Sequence, residues 1–84
     1  MNTIDDLEKH SNNILDVVSA NVKKYREEKG LTQIQLALEI GLTGGAYLGR
    51  AEIRKNNHHF NIKHIVKIAK VLDIEVCMLF ESSL

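Results

Sequence analysis

The chain has no proline, no tryptophan and a single cysteine, Cys77, among its 84 residues. One cysteine closes no internal disulfide, a usage that suits a reducing cytoplasm. Its apolar neighbours Val76, Met78 and Leu79 give it the setting of a small buried hydrophobe. No run of about 18 apolar residues occurs, which excludes a membrane-spanning helix. The opening MNTIDDLEKH is acidic and polar, unlike a secretory signal. Low-complexity tracts and internal repeats are also missing. Eighty-four residues make one domain at most and leave no room for a separate effector domain. A chain of this length buries only roughly 60–65% of its unfolded surface.

The net charge is zero, but it is unevenly placed. Residues 1–19 sum to −3, residues 20–70 to +6, and residues 71–84 to −3. A basic middle is what a polyanion binder requires; helices with solvated charged faces are the plainer alternative.

With no proline and with apolar residues at helical spacing, the chain reads as all-α. Ser11, Asn12 or Asn13 can cap a helix running to Lys29, with Ile14, Val17, Val18, Val22 and Tyr25 as its apolar positions. Residues 1–12 form a short extra helix or an arm, and residues 13–84 the domain proper. Gly30 is a helix stop. Thr32-Gln33-Ile34-Gln35 fits a capping box, opening a two-turn helix in which Ile34, Leu36, Ala37 and Ile40 supply apolar contact. A third helix is expected over about 45–53, and NNHHFN is a polar loop. Asn61 can cap a fourth helix with Ile62, Ile65, Val66, Ala69 and Leu72 on one face. A fifth, at about 76–81, carries Val76, Leu79 and Phe80. The expectation is a compact five-helix bundle.

Four of the five glycines, Gly41, Gly44, Gly45 and Gly49, crowd into nine residues between two short helices. Glycine opening a three- or four-residue turn between such helices suggests a helix-turn-helix over about residues 33–53. The turn needs positive φ, which glycine takes without steric penalty. Small Ala37 lets the helices approach, and Leu42 plugs the turn.

NVKKYREEKGLTQIQLALEIGLT, then YLGRAE, then NIKHIVKIAKVLDIEVCMLF together resemble the lambda-repressor/Cro-like (xenobiotic-response-element) helix-turn-helix regulators over about residues 20–80. YLGRAE followed by RKNN is most similar to the small controller proteins of restriction–modification systems. The chain departs from the family pattern by one inserted residue near Gly44-Gly45, and by Ala51 where a larger aliphatic is usual.

The resemblance implies a lambda-repressor-like DNA-binding domain acting as a homodimer on paired double-stranded DNA half-sites, often upstream of its own gene. It implies that Gln33 contacts phosphate. Thr43, Gly44, Gly45, Ala46, Tyr47, Gly49 and Arg50 lie on or before the recognition helix. Arg50 is placed to read guanine, to hold a phosphate or to pair with Glu52. Tyr47 is placed to reach sugar or phosphate, or to pack. Glu52 matches the family's acidic position, which orients neighbouring basic groups. Arg54, Lys55, Asn56 and Asn57 follow the helix and would grip the DNA backbone. Lys23, Lys24 and Arg26 would add field. The fifth helix, through Val76, Leu79 and Phe80, would form the dimer contact.

His58, His59 and His64 lack zinc spacing, so no metal is expected. No catalytic constellation and no phosphate-cradling glycine loop appears. The expectation is a cytoplasmic regulator, not an enzyme, with no cofactor, no small-molecule effector and no membrane association. The alternatives are an antitoxin with the same fold, or a protein-interaction module that has lost DNA binding.

Overall fold

A computed structural model describes residues 3–82. They form four α-helices and no strand. The helices are α1 (Ile4–Glu28), α2 (Gln33–Glu39), α3 (Ala46–Glu52) and α4 (Ile62–Leu72), with 3-10 turns at Lys55–Asn57 and Val76–Phe80. The fifth expected helix is therefore a 3-10 segment. No helix among the described residues is long and apolar enough to cross a membrane.

α1 starts earlier than its expected cap at Ser11–Asn13. Thr3 and Asp6 form a reciprocal capping box, and Asp5 and Asp6 lie in the first turn, where carboxylates complement the free N–H groups. Residues 4–12 are thus continuous with the helix. The expected boxes and caps downstream are present. Thr32 and Gln35 form the capping box that starts α2, and the Asn61 side chain accepts from the His64 N–H at 2.7 Å to start α4.

Two interhelical turns use one device. At Gly41 (φ +90°), the Leu42 N–H donates to Ala37 O at 2.9 Å and the Gly41 N–H to Leu38 O at 3.1 Å. That pair is a Schellman closure, and its left-handed residue is nearly free of strain when it is glycine. After α4 the left-handed position is held by Asp73 (φ 57°), closed by Ile74 N–H to Ala69 O.

The core is aliphatic. Val18 and Val22 of α1, Leu36, Ala37 and Ile40 of α2, Leu48 and Ala51 of α3, and Ile65, Ile68, Ala69 and Leu72 of α4 are buried. Phe60 and Leu79 complete it from the connecting segments. Each fully buried Leu or Ile contributes about 1.5–3 kcal/mol.

Several sequence expectations change here. Phe60 belongs to the core although its surroundings read as polar loop, and Ile68 replaces Ile62 and Val66 on the inward face of α4. Ile62 (69% exposed), Val66, Ile34 and Ile14 face outward. Cys77 is exposed: five residues of 3-10 helix turn its apolar neighbour Leu79 inward and leave the thiol outside. Leu79, expected at a dimer surface, is fully buried within the protomer, whereas Val76 and Phe80 stay exposed at 37% and 41%.

Candidate nucleic-acid interface

The start of α2 and the outer face of α3 lie side by side. A Cβ placed on Gly49 would sit 3.3 Å from Gln33 Oε1, so only a hydrogen fits there comfortably. α3 begins at Ala46, which sets its register despite the inserted residue. Ala46, Arg50 and Ile53 are exposed, with Gly49 between them at partial exposure. That is the i, i+3, i+4, i+7 spacing of one helix face. Thr43 and Gly44 are exposed before it, and Tyr47 is turned partly inward.

The twin glycines differ in what they do. Gly45 lies against α2, where a Cβ would come within 3.0 Å of Ile34 Cγ1. Gly44 faces open space. The close approach at Gly45 lets the turn deliver α3 against α2. The result is a recognition-type face with little side chain on it, in which Arg50 is the cation. Among the described residues Arg50 forms no ion pair or side-chain hydrogen bond, so its five donors are available.

Glu52 does not pair with Arg50. Its side chain is 1% exposed and receives Arg26 Nε at 2.7 Å and Arg26 Nη2 at 3.0 Å, a bidentate clamp. Arg26 also donates through Nη1 to Leu31 O at 2.8 Å, and Gln33 Nε2 donates to Glu52 Oε1 at 3.0 Å. The hydrogen bond that Arg26 donates to Glu52 holds its guanidinium above the ordinary pKa against the opposing effect of burial. Arg26, expected to add field, is instead the keystone between α1, the α1–α2 turn and α3. Gln33, expected at phosphate, uses its amide N–H on Glu52; its position at the α2 N-terminus beside Gly49 is unchanged by that bond.

Ser19 Oγ donates to Ala51 O at 2.8 Å, both buried. Ala51 therefore sits where α1 and α3 approach closely. Asn21 Nδ2 donates to Leu79 O at 3.0 Å and Glu81 O at 2.8 Å, tying the last 3-10 turn to α1. These buried polar residues of α1 were not read from the sequence. Their only signal there was a polar residue breaking an otherwise apolar helix face.

Tyr47 packs rather than reaching out. Its hydroxyl donates to His59 O and accepts from the Asn61 N–H, both at 3.2 Å. Its ring meets Phe60 and His64 edge-on, at centroid distances of 5.9 and 4.8 Å. Burial pushes the Tyr47 hydroxyl pKa up. Burial, then Lys67 and Lys63, push His64 down, and His64 Nδ1 is buried with no hydrogen-bond partner.

The loop after α3 exposes Lys55, Asn56 and Asn57. Arg54 lies at its root and points inward, its side chain 12% exposed. Its Nε donates to Asp16 Oδ1 at 2.9 Å, Nη2 to Asn12 Oδ1 at 3.0 Å, and Nη1 to Asn57 O and His58 O at 3.2 and 2.9 Å. Arg54, Asn56 and Asn57 all have left-handed backbone, with φ of 57°, 52° and 62°. Asparagine tolerates this region better than arginine does, for which it costs about 1–2 kcal/mol. The expected grip residues thus divide: Lys55, Asn56 and Asn57 offer free side chains, and Arg54 is committed internally.

The α2 N-terminus at Gln33 lies against α3 at Gly49, next in the chain to the exposed Arg50, and the exposed loop Lys55–Asn57 follows α3 directly. A family model described as helix-turn-helix matches residues 22–79. No curated protein and no solved structure matches the chain.

Proposed function

The chain belongs to the helix-turn-helix family, and from that premise we propose that it is a homodimeric, sequence-specific transcriptional regulator of the controller or Cro-like repressor kind. Family membership implies double-stranded DNA as its partner. On this reading the protein is cytoplasmic and acts on paired half-sites about one helical turn apart, often upstream of its own gene. The observation that carries the reading is Arg50: an unpaired guanidinium on the outer face of α3, beside the exposed start of α2. A guanidinium presented from a major-groove helix pairs with guanine O6 and N7, discriminating by about 1–3 kcal/mol. Gln33, Thr43, Gly44, Gly45, Ala46 and Gly49 would approach the DNA as backbone and small groups. Lys55, Asn56 and Asn57 would hold phosphates and fix register.

The test is fluorescence anisotropy with a duplex enriched from a random-sequence pool by the wild-type chain. Binding should resist scrambled competitor and weaken steeply with salt. Arg50→Ala should lose about 1–3 kcal/mol and relax the preference at one base pair per half-site. Equal affinity for enriched and scrambled duplexes would remove the sequence-specific reading.

A second reading has its own support. Ile4, Leu7 and Ile14 form one stripe on α1, exposed at 78%, 52% and 39%. A stripe of that kind suits a helical protein partner, as an antitoxin or an interaction module would have. Val76 and Phe80 remain for the dimer contact. Analytical ultracentrifugation of Phe80→Ser tests the self-contact: a monomer places it at the C-terminal turn and leaves the α1 stripe for a different partner.

A further inference from the structure

The residues matched by the helix-turn-helix model begin at 22. Asn12 and Asp16 lie before that span, one turn apart on α1, and both accept hydrogen bonds from Arg54. We propose that Asn12 and Asp16 are positioning residues for DNA binding: they hold Arg54 as an internal clasp that shapes the 54–58 loop, and Arg54 itself grips no phosphate. The proposal rests on the DNA-binding reading above.

Donor count and backbone geometry carry it. A guanidinium has five N–H donors. Four are used: one on Asp16, one on Asn12 and two on the carbonyls of Asn57 and His58. The loop's own backbone supplies little: Asn57 N–H to Arg54 O at 3.2 Å and His58 N–H to Lys55 O at 2.9 Å. Three of its residues have left-handed backbone, which persists only when the surroundings over-determine it. Arg54 supplies that determination together with two ring contacts inside the loop, His58 Nδ1 with Lys55 O at 2.6 Å and His59 Nδ1 with Asn57 O at 3.2 Å. By drawing the Asn57 and His58 carbonyls inward, it turns Lys55 and Asn56 outward. The anchor is rigid because Asn12 and Asp16 belong to a helix that is continuous from Ile4.

The clasp makes a prediction whose sign opposes simple electrostatics. Removing a carboxylate near DNA lowers repulsion and should tighten binding. If Asp16 works by holding Arg54, Asp16→Asn must weaken binding instead. The experiment uses the full chain and the duplex enriched by the wild type, with affinity measured from low to moderate salt. Asp16→Asn should bind about two- to fivefold more weakly, the scale of one partly exposed ion pair. Arg54→Met should bind about tenfold or more weakly. The slope of log K against log salt should fall for Arg54→Met by no more than it falls for Lys55→Met, because the phosphate contact put at risk is that of Lys55 and not one of Arg54. The double variant of Asp16→Asn with Arg54→Met should be no worse than Arg54→Met alone.

A slope for Arg54→Met combined with Lys55→Met that lies about one ion below that of Lys55→Met alone would make Arg54 a phosphate contact and overturn the proposal. So would tighter binding by Asp16→Asn, or unchanged affinity in both Asp16→Asn and Arg54→Met. Asn12→Ala, which alters no charge, is the milder control, and measurement well below each variant's melting temperature excludes loss of fold. Failure of the wild type to enrich any duplex would instead remove the DNA-binding reading, and the proposal with it.

Discussion

Two arginines close on carboxylates at similar distances in this protein, Arg26 on Glu52 at 2.7 Å and Arg54 on Asp16 at 2.9 Å. Their settings differ. At the first pair the side chains are 9% and 1% exposed; at the second, 12% and 61%. The first sits inside the crossing of α1, α2 and α3, with little access to water. The second sits at the rim, with one carboxylate oxygen free to solvent. Similar distances therefore do different work. The buried pair is a condition of the fold, because either charge alone would be stranded. The rim pair adds little stability and acts on the shape of one loop.

The largest effect should come from stranding the buried charge. Glu52→Gln keeps the shape and removes the counter-charge of Arg26. It should lose about 3–5 kcal/mol, enough to lower the melting temperature by more than about 12 °C in a domain of this size. Circular dichroism melting reads this directly, and a shift of only a few degrees would mean that the two pairs are equivalent after all.

Arg54→Met comes next. It removes four hydrogen bonds from a partly strained loop and should lose about 1–2 kcal/mol, seen as a lower urea midpoint at unchanged m-value. A changed m-value would show that the loop's disorder spreads into the core.

Asp16→Asn should cost at most about 1 kcal/mol, and 0.5 M salt should reduce that difference, since the carboxylate is largely in water. Salt should leave the Glu52→Gln deficit nearly intact. Salt dependence at both sites, or at neither, would collapse the distinction.

The smallest effect concerns pH at the edge of the same surface. His64 is held below its ordinary value by burial, then by Lys67 and Lys63, and packs on Tyr47. Between its folded value and about 6.5 the unfolded chain binds the extra proton. Stability is therefore full above about pH 6.5 and falls as pH drops through the folded value. Melting temperatures from pH 7.5 to 5 should decline, less steeply for His64→Gln, and parallel profiles would discount His64.

How much was legible in the sequence depended on the range of the interaction. The α2 capping box, the Asn61 cap and the Gly41 turn were readable because each is decided by residues no more than five apart. The start of α1 was misplaced because the same local signal, Thr3 with Asp6, competed with three later candidate caps. Tyr47, Phe60, Ile68 and Leu79 were harder: whether each faces in or out depends on which helix lies opposite. The close approach of Gly45 to Ile34 was out of reach for the same reason, since it joins the start of α3 to α2.

The sequence by itself determined an all-helical chain, the capped starts of α2 and α4, its glycine turn and its basic centre. Those features follow from backbone sterics, local hydrogen bonds and charge counts. The tertiary structure alone decided which arginine meets which carboxylate across 26 and 38 residues, and so which cations stay free on the surface. A guanidinium's role follows from what the crossing of helices brings within about 3 Å of it, and no pattern within one helix carries that distance.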